Sequence, residues 1–171
     1  MPDLVKPLML LFALWLTACG YHLVGTETHL PPGVKTIAVD IARNQTGESG
    51  LEQNFTQALL LALKSDGRIK IDELKNSQAV LRSELSKVAD QPVSYDKFGK
   101  ANLIQVTLTA RVYLVQTGTG KELWSSGAIV ESEQYPEGDD FLVNDRLRRQ
   151  ALVQACRRIS RIAIDQLASG F

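Results

Sequence analysis

Reactive side chains are sparse in this chain, and their spacing limits the chemistry open to them. Cys19 and Cys156 are the only two thiols among 171 residues. Cys19 ends an apolar run and precedes a glycine, in LWLTACGYHLVG, whereas Cys156 lies inside an apolar-periodic segment and reads as a small core residue. The histidines, His22 and His29, stand near no Cys, Asp or Glu at metal-ligand spacing. There is no Gly-x-Ser-x-Gly turn to expose a nucleophile and no glycine loop built to cradle phosphate. Asp139-Asp140 is an adjacent pair in a loop, the pattern of solvated carboxylates and not of an acid–base couple. The chain therefore reads as a non-enzyme with no metal and no cofactor. Its 19 basic and 19 acidic side chains cancel, which removes the electrostatic basis for a nucleic-acid partner.

Two basic features remain. SYDKFGK, residues 94–100, sets Lys97 and Lys100 beside the rings of Tyr95 and Phe98, a tip suited to a phosphorylated, partly apolar ligand. In the last segment Arg146, Arg149, Arg157 and Arg161 fall opposite an apolar stripe of Ala151, Leu152, Ala155, Ile159, Ile162 and Ala163.

The elements that position these residues follow from periodicity. Pro31-Pro32-Gly33 predicts a turn, and Ile37, Val39 and Ile41 alternate with polar or small residues as in a half-buried strand. Ser49 and Glu52 have capping-box spacing before a helix carrying Leu51, Phe55, Ala58, Leu59 and Ala62 on one face, which Gly67 ends. RIKID is a short strand or edge extension. Longer strands are expected around Ala79–Ser86, over Ile104–Leu114, and from about Glu122 to Tyr135 with Trp124, Ala128 and Val130 on one face. Glu131 and Glu133 should lie on the other. Thr117-Gly118-Thr119-Gly120 marks a hairpin. Asn144 is the expected cap of the final helix, with Asp145 placed against its dipole. The sum is an α+β fold: a two-layer sandwich of a four-stranded, mostly antiparallel sheet with two amphipathic helices on one face.

At the N-terminus, Lys6 precedes an unbroken apolar run from Leu8 to Leu16. A membrane-spanning helix needs roughly 20 apolar residues, so this run suits an export signal instead. Leu16-Thr17-Ala18-Cys19 resembles the lipobox of bacterial lipoproteins. That resemblance implies that residues 1–18 are a cleaved signal peptide and that Cys19 carries a diacylglycerol group and an acylated amine. Residues 19–33 would then form a lipidated N-terminal segment, and 34–171 a single α+β domain. Two or more acyl chains hold a protein firmly at a membrane. Acylation of Cys19 would also leave Cys156 without a disulfide partner. Residue 20 is Gly, not the Asp that retains enteric lipoproteins in the inner membrane, which implies the periplasmic side of the outer membrane.

Taken in order, CGYHLVG, LPPGVKTIAV, NQTGESGLEQNFTQAL, TGKELW and NDRLRRQALVQACRRI make nearly the whole chain similar to the lipopolysaccharide-assembly lipoprotein family LptE. The resemblance implies a protein that helps the outer-membrane barrel LptD to assemble, plugs it, and binds lipopolysaccharide. In enteric members a basic residue two positions before the central hairpin glycine is tied to ligand binding, and Lys97 stands there before Gly99. Lys97, Lys100 and Arg111 are the candidate lipopolysaccharide contacts. A second basic residue of enteric members, in the loop before the last helix, has no match in EGDDFLVND. The alternative is a lipoprotein adaptor that activates a periplasmic enzyme or pilots a secretin, which would share the lipobox and the sandwich without needing a basic tip.

Overall fold

The computed structural model describes residues 30–170; Cys19, the histidines and the N-terminal apolar run lie outside them. Val34 N–H donates to the Pro31 carbonyl at 3.1 Å, closing the predicted turn. The chain then enters β1 (Thr36–Val39) and, after a break, β2 (Arg43–Asn44). Helix α1 (Leu51–Asp66) and β3 (Lys70–Ile71) follow. Three long strands come next, β4 (Ala79–Tyr95), β5 (Ala101–Gln116) and β6 (Glu122–Pro136), and α2 (Phe141–Ser169) closes the domain.

β5 organises the sheet. Its Ile104, Val106, Leu108, Ala110, Val112 and Leu114 are all buried, because side chains two apart share one face of a pleated strand. β4 and β6 flank it antiparallel. β1 and β2 pair with β4 in parallel, and β3 pairs with β1, giving six strands in the order β3-β1-β4-β5-β6 with β2 also on β4. The expected four-stranded sheet is thus enlarged by two strands of two residues each: β3, within the RIKID segment expected as a short strand or edge extension, and β2, too short to leave a hydrophobic period. β1 stops at Val39, so Ile41, expected to point inward, is 70% exposed.

The helices cover only the apolar face. Leu51, Phe55, Ala58, Leu59 and Leu63 of α1 are buried, as are Ala151, Leu152, Ala155, Ile159, Ala163, Ile164 and Leu167 of α2. Each large apolar side chain so enclosed contributes about 1.5–3 kcal/mol. Cys156 is fully buried among them, and burial pushes its thiol up to about 12, consistent with a packing role.

Both predicted helix starts shift. α1 begins after Gly50 at φ 80° with no side-chain cap; Glu52 instead accepts from Asn44 Nδ2 at 2.8 Å, so the Ser49–Glu52 capping box does not form. α2 begins three residues before Asn144 and is capped by Asp140, whose carboxylate accepts from the N–H groups of Leu142 and Val143 at 2.9 and 3.2 Å. Asn144 clasps Gly138 through both amide atoms, and Asp145, one turn inside, pairs with Arg149 at 2.9 Å. The predicted stop of α1 holds: Gly67, at φ 70°, donates its N–H to the Leu63 carbonyl.

A bulge reverses the face of β6. Arg111 stands opposite Ala128 and Tyr113 opposite Ser125, so Val112 faces both Ser126 and Gly127. Gly127 has φ 66°, the left-handed conformation open to glycine at a bulge. Trp124 and Ile129 are therefore buried beneath the helices, while Ala128 and Val130 lie on the opposite face. The expected grouping of Trp124 with Ala128 and Val130 fails because an inserted residue breaks the period. Glu133 also turns to the helix side, where it pairs with Arg158 at 2.7 Å.

Arg148 of α2 joins three separate segments. Its Nη1 and Nη2 donate to Glu48 at 2.9 and 2.8 Å, and its Nε and Nη2 donate to Asp90 of β4 at 3.1 and 2.8 Å. The bonded guanidinium holds the Glu48 carboxyl below its ordinary value of 4.5. Stability from a depressed carboxylate is fully present above the unfolded value and is lost as pH falls through the lower folded one. The pairs are only half-buried, so water screens them. Arg148→Met is expected to cost about 1–2 kcal/mol in urea unfolding at neutral pH. It should also flatten the loss of stability as pH drops below about 4.5; an unchanged acid profile would show that the clasp is not what couples folding to Glu48.

Candidate functional site

The uncovered face of the sheet is a polar, hydrogen-bonding surface. Thr107, Thr109, Arg111 and Tyr113 of β5 share it with Arg82 and Glu84 of β4 and Ser125, Ala128 and Ser132 of β6. Thr107 and Ser132 hydroxyls lie 2.8 Å apart across the strands. Arg111 donates from Nε to Ser125 at 2.9 Å and from Nη2 to both oxygens of Glu122 at 2.6 and 2.8 Å. Its guanidinium also stacks 5.0 Å from the Tyr113 ring centroid. Arg111 is thus matched within the sheet.

At one end of the sheet, the β4–β5 turn meets the loop that leads into α2. Asp96 organises it: its carboxylate accepts from the N–H groups of Phe98 and Lys100 at 2.8 and 2.9 Å. Gly99, at φ 79°, donates to the Asp96 carbonyl. The Lys97 ammonium lies 4.9 Å from the Phe98 ring centroid, within cation–π range, and has no ion-pair partner among the described residues. Lys100 is paired with Asp139 from the loop before α2. That pairing raises the Lys100 pKa and lowers that of Asp139.

The structure brings Lys97 and Lys100 to one tip but leaves Arg111 ten positions beyond Ala101 along β5, about 33 Å at strand rise. Of the arginine stripe, Arg149 is paired with Asp145, while Arg146, Arg157 and Arg161 are exposed without an acid partner among the described residues. Arg157 and Arg161 rim a groove of ≈ 420 Å³ between the helices, floored by Ala58, Leu61 and Ala62. Sequence reading missed Arg148, whose partners are 58 and 100 positions away. It also left Phe141, Leu142 and Val143 outside the last helix, although they form its exposed first turn. Asp140 followed by three apolar residues was the signal available there. No group of three or more His, Cys, Asp or Glu suited to a metal occurs among the described residues, and none of their helices is long and apolar enough to cross a membrane.

Comparison with known proteins adds what geometry alone does not. No curated protein matches the chain. Rare lipoprotein B from Shewanella oneidensis superimposes with a TM-score of 0.53 at 16% identity, covering 78% of this chain and 94% of that one. Lipoprotein B from Nitrosomonas europaea gives 0.52 at 16% identity, covering 83% and 88%. A PelC dodecamer from Paraburkholderia phytofirmans gives 0.50 at 13%, covering 84% and 95%. At these identities the likeness concerns the fold, which occurs in a dodecameric protein as well as in the lipoproteins B. The lipopolysaccharide-assembly family LptE, by contrast, matches residues 34–168, from just before β1 to the last turn of α2. The chain therefore belongs to the LptE family, a family of non-enzymatic, outer-membrane-associated lipoproteins of lipopolysaccharide assembly.

Proposed function

We propose that this protein is anchored in the outer membrane through acylated Cys19, assembles with and plugs the LptD barrel, and binds lipopolysaccharide for its insertion at the cell surface. The family match over residues 34–168 carries the reading, and the one-sided sheet supports it physically. A barrel lumen is polar, so a plug needs a firm core and an outer surface able to hydrogen-bond; the Thr, Ser, Gln and Arg face of β4–β6 is such a surface. At the tip, Lys97 is the cation left for a lipid phosphate. Its ammonium acts as a point charge and lacks the bidentate geometry of a guanidinium.

Purification from native outer membranes through a C-terminal tag, in mild detergent, tests the assembly. Recovery of LptD at equal stoichiometry is expected, whereas a secretin ring, a periplasmic enzyme or no partner would overturn it. Cys19→Ala should abolish incorporation of radioactive palmitate; persistent labelling would remove the anchor from that residue. Lys97→Asp is expected to weaken lipopolysaccharide binding several-fold with stability changed by less than about 0.5 kcal/mol, and equal binding would discharge the tip ammonium from that role.

A further inference from the structure

β6 is the outermost strand of the sheet and pairs with β5 alone. Glu137 N–H donates to the Asn102 carbonyl at 3.0 Å, and opposed residues of an antiparallel ladder alternate between pairs that exchange hydrogen bonds and pairs that do not. With Ile104 opposite Tyr135 and Ala110 opposite Ile129, the residues of β6 that bond to β5 are Tyr135, Glu133, Glu131 and Ile129. Ala128, Val130, Ser132 and Gln134 therefore turn their N–H and C=O groups outward. No other described element takes those groups up.

An edge left in this state templates a further strand, and self-contained sheets blunt it with lysine, proline, a bulge or brevity. The opposite margin has that protection, since β3 is two residues long and begins with Lys70. On β6 the bulge at Ser126–Gly127 and Pro136 lie at the two ends of the open stretch. Between them the outward residues carry no charge and no proline, and Val130 is 55% exposed. On the helix side of the same stretch Glu133 is paired with Arg158, while Glu131 has no cation among the described residues.

The size of this edge decides what can occupy it. Residues 128–134 span about 23 Å and, at a sheet thickness of about 10 Å, would bury roughly 230 Å² a side. A free complex needs about 1,200–2,000 Å² in total, so the edge alone cannot hold an independent partner, a second copy of this chain included. It suits a segment already kept close by other contacts, for which pairing is effectively intramolecular. The wall of a barrel offers none, because its strands are paired all round; a loop folded into the lumen is unpaired. We propose that an extended lumenal loop of the barrel adds to β6 over residues 128–134 as a further strand of the sheet, with a lysine or arginine facing Glu131. This rests on the plug reading and names the backbone contact that joins plug to barrel.

The test places a benzophenone amino acid at Ala128, Ser132 or Gln134 of the full chain in living cells, with Leu61 and Lys64 of α1 as exposed controls, and maps the LptD residue captured by each. Strand pairing fixes a register, so the captured site should move along one LptD segment in step with the probe, by about four residues from position 128 to 132 and about two more to 134, at about tenfold the control yield. Val130→Pro removes an outward N–H without breaking a bond to β5, and should lower capture at 132 and 134 about tenfold with LptD still co-purifying. Val130→Thr should leave capture unchanged. Captured sites scattered over several LptD segments, fixed on one residue, found on a second copy or absent would overturn the proposal, as would unchanged capture in Val130→Pro. The register read from the otherwise native chain decides the matter even where the proline variant fails to fold. LptD recovered at equal stoichiometry beside any of those results leaves the plug reading standing, whereas loss of LptD from the native complex removes both.

Discussion

One-sided burial of β5 is the constraint on which the rest of the structure depends. Its inward residues from Ile104 to Leu114 are enclosed, and both neighbouring strands must match that face in register or expose their own apolar set. α1 and α2 then have a single surface to cover. Where the register would drift, β6 inserts Gly127 and restores Ile129 to the buried side. The same constraint leaves the opposite face free to be polar, because nothing on it is needed for folding.

That division separates the work of the surfaces. The helix side carries stability, supplemented by Arg148, which ties the loop before α1, strand β4 and helix α2 through two carboxylates. The bare face presents hydroxyls, amides and matched charges. At the far end of the sheet, the β4–β5 turn and the first turn of α2 carry the exposed rings of Phe98 and Phe141. A small protein can in this way offer a polar wall and an apolar tip at once without weakening its core.

The fold by itself leaves function open, since the PelC dodecamer shares it at a TM-score of 0.50. Function here lives in surfaces grafted on that frame. The tip is also charged differently from its first impression. Two lysines in seven residues suggest an anion site, but Lys100 is committed to Asp139 and Lys97 leans on its neighbour Phe98.

The α+β class, the strand identity of β5, the buried stripes of both helices and the burial of Cys156 were legible in the sequence. Each rests on a local period or a local stop such as Gly67, and a period survives wherever one face is enclosed. The family resemblance was legible for the same reason, being carried by ordered local motifs. What tertiary structure decided are the features that depend on partners distant in sequence. The two-residue strand β2 exists only because β4 offers an open edge. The β6 bulge changes which of Trp124, Ala128 and Val130 share a face, and a one-residue insertion is invisible to a period-two reading. Arg148 looked like one more arginine on a helix until carboxylates 58 and 100 positions away were brought to it. The start of α2 moved to Phe141 because Asp140 can cap it there. The meeting of the β4–β5 turn with the start of α2, joined by Lys100 and Asp139, is likewise contained in no single stretch of the chain.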